Sequence, residues 1–147
     1  MANLACEIVT PDKRIFSGKA SQVIVPSMDG TCGILPGHEM FACRMKNGKV
    51  VVHTGEGADD VTEYATYMGF TEVSADRVLV LARQAIEVSD IDVETVKKDR
   101  VALEEKLNAM PAETASKQQE RVAKVQRDSI QDDIEWCDTQ LEVAQAS

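Results

Sequence analysis

Aromatic side chains are scarce, at 4% of 147 residues, so any core must be built mainly from aliphatic ones. Basic residues are also few: 16 Lys and Arg face 25 Asp and Glu, for a net charge of −9. Nucleic-acid binding needs a basic surface to neutralise phosphates, so that class of function is excluded. No apolar run nears the roughly 20 residues needed to span a bilayer, so direct membrane insertion is not expected. The opening stretch MANLACEIVTPDKR lacks a basic segment followed by an apolar one, and no secretory leader is expected. The cysteines Cys6, Cys32, Cys43 and Cys137 form no CxxC pair, and only His38 and His53 could join them as ligands. Free thiols in a reducing cytoplasm are expected, with no metal site and no cofactor.

Catalytic signatures are missing too. There is no GxSxG nucleophile turn, no GxxxxGK[ST] phosphate loop and no GxGxxG fingerprint. The Gly- and Asp-rich stretch TGEGADD, residues 54–60, lacks the ligand spacing and closing Glu of a calcium loop. It is read as a hairpin loop. No catalytic residue is expected from any motif.

What is present divides near residue 89. Before it come short strand-like runs broken by turns: LACEIVT (4–10), RIFSG, SQVIVP (21–26), MFACRM, KVVVHT, EYATYMGFTEV (63–73) and RVLVLARQAIEV (77–88). Residues 27–33, SMDGTCG, are expected to be a loop. Asn47-Gly48 between two apolar runs predicts a hairpin, and Ser74-Ala75-Asp76 another turn. Many short strands with frequent turns indicate a β-sandwich or barrel.

Past Ser89 there is no glycine. Asp90 or Asp92 can cap a helix. Val93, Val96, Arg100, Leu103, Leu107 and Met110 then step by three and four along one stripe, up to Pro111. A second helix is expected from about Thr114 to Gln145, with Ala123, Arg127, Ile130, Ile134, Cys137, Leu141 and Ala144 as its seam. Two such helices read as an antiparallel hairpin. It buries little apolar area by itself and should detach readily from whatever it packs on. Lys117, Arg121, Lys124 and Arg127 form a basic face, and six acids with no base follow from Asp128. That face is either a solvated surface or a dock for an acidic partner. The fold class is therefore α+β: a flattened antiparallel β-sandwich over residues 1–88, then an α-helical hairpin over 89–147.

His38, in GILPGHEMFACRM, admits three readings from the residues alone: a corner side chain, an interface residue or a catalytic base. A base needs a pocket and an orienting acid, and Glu39 is adjacent in sequence, where side chains on a strand point to opposite faces.

The run from Ile8 to Val50 resembles the N-terminal domain of the epsilon subunit of F-type ATP synthase. The marks are Phe16-Ser17-Gly18, Gly30, Gly33, Pro36-Gly37-His38, Asn47-Gly48, Gly69-Phe70, Glu72-Val73 and RVLVLA. Strands followed by a helical hairpin match the family over nearly the whole chain. The mitochondrial counterpart, called delta, shares this plan, but no transit peptide is apparent here, so the bacterial type is expected. The resemblance implies a non-catalytic rotor subunit of the central stalk, peripheral on the cytoplasmic face of the bacterial membrane, and clamped between the gamma subunit and the c-subunit ring. It places Gly33, Pro36, Gly37, His38 and Phe41 on the gamma-facing surface. It gives Ser27, Met28, Asp29, Gly30 and Thr31 to the c-ring contact, although Thr31 and Cys32 replace the acidic and aliphatic residues common there.

In bacterial and chloroplast members the hairpin regulates. Folded down it packs on the sandwich; extended it inserts along gamma, between the alpha and beta subunits, and blocks ATP hydrolysis. The resemblance makes Lys117, Arg121, Lys124 and Arg127 the docking patch for the acidic lobe of beta, although the acids after Asp128 would be repelled by it. Some members bind ATP through Ile/Leu-Asp-x-x-Arg-Ala at the first helix. Here Ile91-Asp92 stands, but Thr95-Val96 replaces Arg-Ala. The competing reading from another class is a free-standing small-ligand-binding β-sandwich with a dimerising hairpin.

Overall fold

Among the described residues, eight strands and two α-helices follow the two-part pattern of the chain. The computed structural model describes residues 3–111 and 116–146. The strands are β1 (Leu4–Val9), β2 (Arg14–Ala20), β3 (Gln22–Ser27), β4 (Gly30–Ile34), β5 (Phe41–Arg44), β6 (Gly48–His53), β7 (Val61–Ser74) and β8 (Arg77–Glu87). The helices are α1 (Val93–Asn108) and α2 (Lys117–Gln145).

The strands join in the order β2-β1-β8-β7-β6-β3-β4, with β5 paired to β7. The two longest strands, β7 and β8, hold this sheet together. The first half of β7 pairs with β6 and the second half with β5. Between them Met68 takes a left-handed φ of 48°, and the sheet folds over into an open sandwich. Pairing is antiparallel except for β1 beside β8, which is parallel.

Alternation along the strands fills the space inside. Leu4, Cys6 and Ile8 of β1, Val23 and Val25 of β3, Val50 and Val52 of β6, and Val78 and Val80 of β8 are all buried. They alternate with more exposed neighbours, as a half-buried pleated strand requires. Each fully buried Val, Leu or Ile contributes about 1.5–3 kcal/mol by leaving water. The core thus needs few aromatics: Tyr64 and Phe16 meet in it at 6.0 Å between ring centroids.

Two turn expectations are corrected. Residues 27–33 are not a loop throughout. Met28 and Asp29 form a tight turn, and Gly30 to Ile34 return as β4, with Val25 opposite Cys32. The glycines at 30 and 33 concealed this strand. Asn47-Gly48 does not close a hairpin either. β5 and β6 both lie along β7 in one continuous register, Arg44 opposite Phe70 and Gly48 opposite Thr66. They are two halves of one interrupted strand. The predicted turn at Ser74-Ala75-Asp76 does form: Ser74 pairs with Arg77, and Ala75 takes φ 46°.

Asp92 caps α1, its Oδ1 accepting the Thr95 N–H at 3.2 Å. Ser116 caps α2 by accepting from Gln119 N. The expected start of α2 at Thr114 lies outside the described residues. Both expected seams are on the less exposed sides of their helices, and α1 packs on α2. Arg100, the one cation in the α1 stripe, pairs with Asp138 across the seam and with Glu104 one turn on. The second half of α2 also buries an opposite face, and this one packs on β6 and β7. Asp132, Trp136, Thr139 and Val143 share it at helical spacing. The helical hairpin is therefore folded against the sandwich.

Candidate interaction surface

The predicted corner is a type II turn. His38 N–H donates to Leu35 O at 3.1 Å, with Pro36 and Gly37 between them and Gly37 at φ 81°. Pro suits the first central position, and glycine the positive φ of the second. The Gly37 N–H also donates to Asp76 Oδ1 at 3.3 Å, which ties the corner to the β7–β8 turn. His38 Nδ1 lies 2.9 Å from Glu39 O, and its ring rests on Phe41 at 5.0 Å. Phe41 in turn packs against the core. Among the described residues no acid is hydrogen-bonded to the imidazole, and the bonds of this turn make a rigid corner. Leu35 and Met40, at 53% and 76% exposure, leave apolar surface on either side of it.

The second predicted set occupies the β3–β4 turn. Ser27 Oγ donates to Gly30 O at 2.6 Å and accepts the Asp29 N–H at 3.2 Å. Gly30 takes φ 129°, a conformation open to glycine. Met28 N–H donates to Arg44 O, so β5 buttresses the turn. Asp29, Gly30 and Thr31 are exposed at its tip, and Met28 leans into a groove on the outer sheet face.

That groove was not anticipated. It has a volume of about 1020 Å3 and its floor includes Met28, Met68, Phe70 and Leu81. Val9 of β1, Leu81 of β8, Phe70 of β7 and Arg44 of β5 stand opposite one another in register and make one row across four strands. Phe70 and Leu81 are 44% and 43% exposed although their alternate neighbours fill the core. Arg44, Lys46 and Arg83 bring positive charge to the rim. The corner leads into β5 at Phe41, and the groove lies at the other end of that strand. A signal for the groove existed: Met68, Phe70 and Leu81 are apolar at positions where alternation calls for polar side chains.

A polar cluster lies where β7 and β8 meet α2. Tyr67 Oη donates to Asp132 Oδ1 at 3.2 Å and Glu135 Oε2 at 3.1 Å, and its ring meets Trp136 at 6.2 Å. Burial, reinforced by both carboxylates, pushes the Tyr67 phenol far above the usual tyrosine range and keeps it a donor. Arg83 Nη1 donates to Asp132 Oδ2 at 3.1 Å.

The remaining predicted residues are dispersed. Lys117, Arg121 and Lys124 are exposed on α2, and Arg127 is half-buried. Ile91 is half-buried ahead of α1, and Asp92 is occupied as its cap. Burial pushes the Cys6 thiol up to about 12, which leaves it unreactive. Among the described residues no group of three or more His, Cys, Asp or Glu could hold a metal. No helix among them is long and apolar enough to cross a membrane.

Known proteins match this architecture. An ATP synthase epsilon chain from Myxococcus xanthus is 40% identical over 116 residues, covering 78% of this chain and 82% of the relative. One from Maricaulis maris is 38% identical over 95 residues, covering 63% and 68%. A chain of the Euglena gracilis mitochondrial ATP synthase, seen with F1 and the c-ring, shares the fold at a TM-score of 0.63 and 18% identity. It covers 96% of this chain and 82% of that one. Residues 3–88 match the family model of the ATP synthase delta/epsilon chain β-sandwich domain, and the chain belongs to that family.

Proposed function

We propose that this epsilon chain, a non-catalytic subunit of ATP synthase, couples rotation of a c ring to the catalytic head from the cytoplasmic face of a bacterial membrane. The sandwich would be held on one side by gamma. At the β3–β4 turn Ser27, Met28, Asp29, Gly30 and Thr31 would rest on the polar loops of the c ring, Asp29 providing the charge that Thr31 lacks. The observation that carries this reading is the apolar row Val9, Leu81 and Phe70 on the outer sheet face. Two large apolar side chains at over 40% exposure on one sheet face mark a surface that a partner covers. Gamma is assigned to this groove, except for Met28 at its c-ring edge, and to the corner at the other end of β5, at Gly33, Pro36, Gly37, His38 and Phe41. The division at residue 88 is functional in this reading: the sandwich binds the rotor, and the hairpin regulates by reaching toward the alpha and beta subunits.

Titration calorimetry of gamma into the whole chain tests it. Leu81→Asp places an unpaired charge in the covered face and should abolish measurable binding, while urea unfolding changes little because Leu81 is already half in water. Retained affinity in Leu81→Asp would remove gamma from the groove.

A further inference from the structure

Arg83 belongs to two structures at once. Its guanidinium stands on the rim of the apolar groove. The same Nη1 that donates to Asp132 Oδ2 at 3.1 Å also lies 3.8 Å from the Sδ of the groove residue Met68. Asp132 is the residue of α2 that also receives the Tyr67 hydroxyl. Tyr67 and Met68 are consecutive, yet one lies under α2 and the other lines the groove. The bend of β7 thus carries the floor of the groove on one side and the seat of the helical hairpin on the other.

We propose that Arg83 couples the two sites: a carboxylate of the partner seated in the groove takes Arg83 from Asp132 and weakens the hold of the sandwich on α2. This rests on the assignment of gamma to the groove. The groove favours such a carboxylate because Arg44, Lys46 and Arg83 concentrate positive charge on a chain of net charge −9. Arg83 is half in water, with 53% of its side chain exposed, so it can exchange partners without unfolding β8. Met68 supplies a flexible floor that accommodates the shift. Tyr67 remains bonded to Glu135 at 3.1 Å, so loss of the Arg83 pair loosens α2 rather than expelling it. Coupling of this kind is reciprocal. Whatever weakening the partner imposes on the hairpin, removal of the hairpin must return as tighter binding of the partner.

Hydrogen exchange of residues 132–143, measured in the whole chain, reads the hold on α2. In the free chain Arg83→Gln and Asp132→Asn should each speed exchange there by about twofold to fivefold, the range of a partly exposed ion pair. The double variant should go no further than either alone. Saturating gamma should speed exchange in the unaltered chain by a similar factor and add nothing in Arg83→Gln. Bound gamma that leaves exchange unchanged, or that speeds it equally in Arg83→Gln, overturns the coupling while the docking assignment stands. Failure of gamma to bind the unaltered chain at all overturns both.

Discussion

The side-chain oxygen of Asn47 accepts the backbone N–H of Met68 at 2.8 Å. This bond replaces the ladder pairing that is lost where β5 and β6 part company along β7. It holds the one place where β7 adopts a left-handed φ. Asn47→Ala should therefore lower stability by about 0.5–1.5 kcal/mol, the usual net worth of one hydrogen bond. Urea unfolding would show it as a lower midpoint with an unchanged slope. Asn47→Asp, which keeps the acceptor, should recover most of the loss. If Ala and Asp behave alike, the bond does not hold the bend.

The corner and the groove predict different losses of affinity for gamma. His38→Glu puts a charge on a rigid turn beside Leu35 and Met40, and should cost on the order of 2–5 kcal/mol if that patch is desolvated in the complex. Phe70→Ala removes a large aromatic anchor from the groove floor and should cost about 2–4 kcal/mol of association. Titration of gamma against both variants separates the two surfaces. A loss in Phe70→Ala alone would confine the interface to the groove.

Much of this was legible beforehand because it rests on periodicity. The core strands alternate, and the α1 and α2 seams repeat at three and four, so both were read from residue type. The face that α2 turns to the sandwich was hidden because Asp132 and Thr139 are polar. Asp132 is paired by Tyr67 and Arg83, and Thr139 hydroxyl donates to Glu135 O at 2.8 Å. Tyr67 and Arg83, both distant in sequence from Asp132, and the carbonyl one turn before Thr139 are what make these two side chains suited to a covered face. Asn47-Gly48 misled for a related reason. A turn signal states that the chain can reverse, and here Asn47 uses its side chain to brace a neighbouring strand instead. The groove depends on β1, β5, β7 and β8 meeting in register, which no local pattern contains.

ATP should not stabilise the isolated chain. The position that would hold an arginine in the nucleotide motif is Thr95, whose N–H is bound to Asp92. A dissociation constant of 10 μM would add roughly 2.7 kcal/mol at 1 mM ATP. Such a shift is readily seen in thermal melts, and its appearance would reinstate Ile91 and Asp92 as a nucleotide site. Asp92 has a different pH signature. The hydrogen bonds from Thr95 hold its carboxyl below the usual range, so its cap is fully formed above an unfolded pKa of about 3.9. That contribution is lost as pH falls through the lowered folded value. Asp92→Asn should keep the cap and flatten this acid dependence, as followed by helical circular dichroism between pH 5 and pH 2 at intervals of about 0.5 unit.

The last prediction concerns the helical hairpin as a regulator. The strands end at Glu87, and the groove and corner lie wholly before it. A chain cut after Val88 should therefore fold, bind gamma and sustain synthesis in the reconstituted complex. It would uncover Tyr67, which α2 covers through Trp136, so some loss of thermal stability is expected. It should lose any inhibition of ATP hydrolysis, because α1 and α2 are gone. If the basic patch docks the hairpin on an acidic partner, Lys117, Arg121 and Lys124 to Ala should mimic the cut. Arg127 is better left in place: it is half-buried on the α1 side of α2, and its removal would disturb packing as well as charge. Added salt should relieve inhibition in the intact chain, since exposed pairs are screened within about 10 Å at 0.1 M. ATPase rates of the three complexes, followed against ionic strength, make the comparison. Equal rates at every salt concentration would leave the hairpin no inhibitory role. A cut chain that folds but cannot bind gamma would move the essential contact into the helices, and would overturn the division at residue 88.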